Sequence, residues 1–248
     1  MQIDISELVA AFPDFRVAVV VASDLAIPAV RPPGLASVIA EREAMARDRW
    51  GGLELAQIPG VAVWRVAYKG FGIKRTGYRS SVERIVKNVL AGRSIPEING
   101  FVDAYNAVSL SHVFPLGADD MARLTGDIAF RYARDGDSFV DMAASGEEAE
   151  GAEAAAPAGP VEDPPKPGEV VFADDAHVLC RRWNWRQDAR SLVSPETRSA
   201  LLTVQANGTG DLDAAVSDVC DLFARFCSAT TAVTVADRGR PQATVRGT

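Results

Sequence analysis

Asn99-Gly100-Phe101-Val102-Asp103-Ala104-Tyr105-Asn106-Ala107-Val108-Ser109-Leu110, with Phe114-Pro115-Leu116-Gly117-Ala118-Asp119-Asp120 soon after it, is the most informative part of this chain. From Ile98 onward the residues are mostly apolar, yet Asn99, Asp103, Asn106 and Ser109 recur at steps of four, three and three. That spacing gathers them on one side of a helix. Buried polar groups need partners. Two readings are therefore open: a network that pins neighbouring loops, or the polar floor of a pocket.

Moving away from this helix, residues 16–22 form a Val-rich run that reads as a buried strand. Residues 35–50 have helical composition, with Ser37 as the expected cap. Pro59 suits the first turn of a helix that reaches Lys69 and carries Val61, Trp64 and Tyr68 on one face. Ser80 or Ser81 should cap a helix over 82–90, and Asp211 a helix through Phe226. Further strands are expected at 126–133, 170–172, 178–180, 200–206 and 231–236. Strands and helices mix without regular βαβ alternation. The expected class is therefore α+β: a sandwich of mixed β-sheet with flanking helices, in a single domain over residues 1–248.

Composition removes several classes. At 248 residues and 48% hydrophobic, the chain can bury a substantial core. Its longest apolar run is broken by Ser23 and Asp24, so no membrane crossing is expected. The opening Met1-Gln2-Ile3-Asp4 lacks the pattern of a secretion signal. Three cysteines (Cys180, Cys220, Cys227) with no CxxC fit a reducing cytoplasm, and Cys220 and Cys227 read as small buried hydrophobes. With only His112 and His177 beside them, no metal site is spelled out. No GxGxxG, Walker loop, GxSxG or HExxH is present, and no cofactor is expected.

The net charge of -7 argues against broad nucleic-acid binding, and no DNA partner is expected. The acidity is local. Residues 135–175 hold 12 acids and one base, and residues 143–168 within them read as a flexible acidic insertion. Two basic stretches interleaved with aromatics stand elsewhere. One runs from Arg65 to Arg93 and includes Lys74 and Arg75. The other is Arg181-Arg182-Trp183-Asn184-Trp185-Arg186. Each reads either as a surface for RNA phosphates and unpaired bases, with Lys74, Arg75, Arg181, Arg182 and Arg186 as contacts, or as a charged outer face with its aromatics in the core.

Residues 99–120 also resemble the B3/B4 tRNA-binding and editing region of the phenylalanyl-tRNA synthetase beta subunit. Residues 99–106 are similar to its Asn-Asn-Val-Val-Asp-Val-Thr-Asn pattern, and residues 114–120 to its Gln-Pro-Leu-His-Ala-Phe-Asp segment. Arg131-Tyr132-Ala133 and Glu196-Thr197-Arg198 follow in the family's order. The whole chain looks more like free-standing B3/4-domain proteins, with the core of the match at about residues 60–205.

The resemblance implies an α+β domain with a central pocket that takes the aminoacyl end of tRNA and hydrolyses a mischarged ester. This would be a deacylase acting in trans and not a complete synthetase. The partners it implies are the tRNA acceptor end, or an amino-acid-like small molecule. The departures are specific. Gly117 stands where the family has its editing histidine, and Tyr105 where it has a pocket threonine. The family's glutamate falls near Ala189, beside Asp188. Either the chemistry has moved to other groups, or the pocket only binds an amino acid or a tRNA end. No catalytic residue is therefore assigned. The pocket candidates are Arg79, Glu83, Asn99, Asp103, Tyr105, Asn106, Gly117, Asp120, Trp183 and Asn184.

Overall fold

A computed structural model describes residues 1–73, 77–141 and 161–247. In chain order it contains β1 (Gln2–Asp4), β2 (Phe15–Ser23), α1 (Pro33–Trp50), α2 (Pro59–Gly70), α3 (Ser81–Leu90), α4 (Gly100–His112), β3 (Leu116–Asp120), β4 (Ile128–Tyr132), β5 (Val140–Asp141), β6 (Val161–Glu162), β7 (Val170–Ala173), β8 (Val178–Arg181), β9 (Arg186–Gln187), β10 (Ala200–Asn207), α5 (Leu212–Cys227), β11 (Thr230–Ala236) and β12 (Gln242–Thr244).

Two sheets carry the fold. One has the order β12-β1-β4-β7-β8-β9, the other β11-β2-β10-β3. Every ladder is antiparallel except β1–β4, so the larger sheet is mixed, as expected. Strand β2 lies inside the smaller sheet, with Val17 to Ala22 buried without a break. A strand covered on both faces reads as a continuous apolar run, not as an alternation. Helices α4 and α5 pack on this sheet. On its other side Phe15 meets Phe130 of β4 edge-on at 5.3 Å, joining the sheets through aromatic rings.

Helix α4 lies at the centre of the helical layer, against α1, α3 and α5. Its start fits because Gly100 has no side chain: a Cβ there would come within 2.9 Å of Pro28, whose carbonyl accepts the Gly100 N–H at 2.8 Å. At the other end Val113 closes the helix with φ of 55°, a conformation a β-branched residue adopts only under constraint.

Several expectations need correction. Ser37 lies inside α1 and donates to the Pro33 carbonyl, so it is not the cap. Ser80 holds the cap position of α3 without a side-chain capping bond. Asp211 does cap α5, accepting from Ala214 N at 3.0 Å. Cys227 is buried, whereas Cys220 is only partly so, and all three thiols are free. Of the expected acidic insertion, residues 143–160 lie outside the described residues. The remainder is tied down at its start: Val161 and Glu162 pair with β5, and the Asp163 carbonyl accepts from buried Arg181 at 2.8 Å. Among the described residues no helix is long and apolar enough to cross a membrane.

Candidate functional site

A cavity of about 150 Å³ opens where β3, β7, the β8–β9 hairpin and β10 converge beside the start of α3 and the middle of α4. Register determines which side chains reach it. Gly117 is paired with Thr203, and Asp119 lies two residues on, so strand alternation turns positions 117 and 119 to one face. Gln205, two residues beyond Thr203, faces the same way. Tyr105 and Asn106 come from α4, Ser81 from α3, Phe172 from β7 and Cys180 from β8. A Cβ on Gly117 would meet nothing within 4 Å, so the missing side chain leaves open space in the wall.

The walls are held by a directed chain of hydrogen bonds. Tyr68 Oη donates to Asn184 Oδ1 at 3.0 Å, and Asn184 Nδ2 donates to Gln205 Oε1 at 3.1 Å. Gln205 Nε2 donates to Thr203 Oγ1 at 3.1 Å, and that hydroxyl to the Gly117 carbonyl at 3.4 Å. Each amide spends one N–H in the chain and has a second.

Asp119 is the charged group of this cavity. It is 2% exposed, and its Oδ1 accepts from Ser191 Oγ at 2.6 Å and from Gln187 Nε2 at 2.9 Å. Burial pushes its pKa up to about 7, against the lowering by these two donors, and the nearby Asp188 and Asp174 raise it further. The Tyr105 phenol and Cys180 thiol are raised well above their ordinary values, chiefly by burial, with Asp119 adding to both. Cys180 is therefore a neutral thiol and a poor nucleophile.

Of the expected pocket residues, Tyr105, Asn106, Gly117 and Asn184 line this cavity. The others do not. Asn99 caps α4, accepting from Phe101 N and Val102 N at 3.1 and 3.0 Å. Asp103 accepts from Arg31 Nε at 2.8 Å and Ile98 N at 3.0 Å. Asp120 accepts from Ala122 N and Thr197 Oγ1. Glu83 is buried between Arg65 and Arg79, an ion-pair cluster joining α2 to α3. Trp183 is fully buried: the tip of the β8–β9 hairpin folds inward, and its ring meets Phe12, Phe15 and Trp64 edge-on at 4.7 to 5.2 Å. Arg182 and Trp183 take positive φ of 46° and 68° to make that turn. Asp188, beside the family's glutamate position, is consumed by Val140 N, Arg190 N and the Arg190 guanidinium.

The expected RNA contacts also change. Lys74 and Arg75 lie outside the described residues. Arg181 is fully buried and forms a forked pair with Glu169 at 2.9 to 3.1 Å. Arg182 is buried between Tyr78 and Trp185, 3.6 and 4.1 Å from their ring centres. Neither presents its charge to a phosphate. Arg186 alone of the three lines the cavity; it lies over Trp185 and donates to Asp141 at 2.5 Å. His112 and His177 bond to distant parts of the chain, Asp218 of α5 and Ser138, outside the cavity.

Asp119, Gln187, Thr203 and Gln205 went unnoticed in the sequence, although the alternation Gly117-Ala118-Asp119 carried a signal for the first. A larger groove of about 420 Å³ runs along β1 and β4, but its carboxylates are engaged by backbone donors: Gln2 N donates to Asp127, Ser6 N to Asp4 and Asp127 N to Asp175. Among the described residues no group of three or more His, Cys, Asp or Glu is placed to hold a metal ion.

The chain is similar to an N-terminal fragment of the phenylalanyl-tRNA synthetase beta subunit from Pyrococcus horikoshii, with 11% identity and a TM-score of 0.42. The match covers 92% of this chain and 50% of that one, so the chain spans half the fragment's length. No curated protein matches it. The family profile described as B3/4 domain matches residues 63–238, well over half of the chain and further toward its C-terminus than the expected 205; the chain belongs to the B3/4 domain family.

Proposed function

We propose that the cavity receives the aminoacyl group of a charged tRNA end and hydrolyses its ester. Family membership and the motif resemblance at residues 99–120 support the substrate class. One observation carries the reaction: a buried carboxylate, Asp119, whose pKa burial pushes up to about 7, lines a cavity that also presents amide groups. A general base works best with a pKa close to the working pH. In this reading Asp119 takes a proton from water while the water oxygen bonds to the ester carbonyl. The spare amide N–H groups of Asn184 and Gln205 stabilise the oxyanion. The carbon–oxygen bond to the ribose then breaks, the ribose oxygen recovers the proton from Asp119, and the free amino acid leaves.

With Arg181 and Arg182 turned inward, exposed Lys69 and Lys87 offer few phosphate contacts, so binding is weak and salt-sensitive. A second reading, binding without hydrolysis, is favoured by Gly117 at the position of the family's histidine. Following ester loss from a panel of correctly and wrongly charged tRNAs separates the two. Accelerated loss from some pairs supports the hydrolase. Binding with unchanged ester lifetimes supports the second reading.

A further inference from the structure

The size of the cavity, and what backs its walls, restrict the aminoacyl group it can take. A void of about 150 Å³ in another protein's core holds one benzene ring, about six non-hydrogen atoms. The cavity here has a similar volume but is open to solvent on one side, so the walls against which the group packs set the limit. An alanyl, seryl or threonyl group brings about five to seven such atoms, and a tyrosyl group about twelve.

Two ring walls prevent easy expansion. Tyr105 meets Phe101 edge-on at 6.2 Å, and Phe101 in turn stacks on Phe223 at 3.9 Å with planes 13° apart. Phe172 stacks on Phe130 at 4.6 Å. Tyr105 is 8% exposed and Phe172 2%, so neither ring has solvent to swing into. Forcing extra atoms into such packing displaces side chains from their rotamers. The rest of the lining mixes Leu116, Cys180 and Trp185 with Asn106, Thr203 and Gln205, the last three suited to a hydroxyl.

Resting on the proposed function, we infer that the cavity selects aminoacyl groups up to the size of threonine, and that Tyr105 is the residue setting the limit. The test measures binding of the full chain to non-hydrolysable amide analogues of the charged terminal adenosine, carrying alanine, serine, threonine or tyrosine. The expected result is at least about tenfold tighter binding of the seryl or threonyl analogue than of the tyrosyl one. Tyr105→Ala should narrow that gap by gaining the tyrosyl analogue. Should that variant not fold, Tyr105→Leu is the second choice, and the wild-type comparison decides without either. Equal or tighter binding of the tyrosyl analogue by the wild type overturns the inference and leaves the proposed function standing. Binding of none of the four overturns both.

Discussion

The polar face of α4 and the polar face shared by β3 and β10 are both buried, yet they do different work. On α4, Asn99, Asp103 and Ser109 each end on a local partner: helix N–H groups, Arg31 with Ile98 N, and the Phe114 carbonyl at 2.6 Å. Of the four spaced polar residues, Asn106 is the one that lines the cavity. On β3 and β10 two separate sets of hydrogen bonds border an empty space: Asp119 with Ser191 and Gln187, and Gln205 with Thr203 and Asn184. Burial alone therefore does not mark a site. What distinguishes the second face is that it borders a void and carries a carboxylate, Asp119, whose pKa burial has raised.

Substitutions on the two faces should separate accordingly. Asp119→Asn keeps the shape and should lower the hydrolysis rate by about 10² to 10⁴-fold, as removal of a general base does; single-turnover ester loss would show it. Asp103→Ala takes the carboxylate partner from the Arg31 guanidinium, which keeps the Ile95 and Pro96 carbonyls, and should cost about 3 kcal/mol in denaturant unfolding. The cavity chemistry of the protein that remains folded should be unchanged, and a loss of rate beyond the loss of fold would break the distinction.

Asp119 should also leave its mark on stability against pH. Its folded pKa of about 7 lies above its ordinary 3.8, so between those values the native chain holds the extra proton. Stability then falls as pH rises through that window and levels off above it, by on the order of a few kcal/mol. Asp119→Asn should remove this slope, leaving a variant more stable than the parent at pH 8. Asn99→Ala removes a helix cap and a long contact to the Val193 carbonyl at 3.4 Å, and should cost about 1 kcal/mol, read as a shift in the unfolding midpoint.

Much of the fold was legible because its signals are local. The Val-rich run of β2, Pro59 at the start of α2 and Asp211 before α5 each act within a few residues. Strands β1, β3, β5, β6, β9 and β12 were not expected; all but the five-residue β3 are two or three residues long, and β1 and β3 are defined by pairing with distant parts of the chain. The inward hairpin tip was missed for a related reason: nothing in Arg181-Arg182-Trp183 says that Phe12, Phe15 and Trp64 are waiting for a ring. The candidate site was legible in part: Tyr105, Asn106, Gly117 and Asn184 of the ten expected residues line the cavity, whereas Asp120 does not and its neighbour Asp119 does. One step along a strand reverses the face, and so Asp119 reaches the cavity while Asp120 caps the next turn.

The most direct test of the account is the rate of ester loss from a mischarged tRNA measured from pH 5 to 9, for the parent protein and for Asp119→Asn. The account predicts a rate that climbs with pH, bends near 7 and becomes flat above it, and a variant that is slow throughout without that bend. A parent profile indistinguishable from the variant's, or no acceleration over the protein-free ester at any pH, would contradict it.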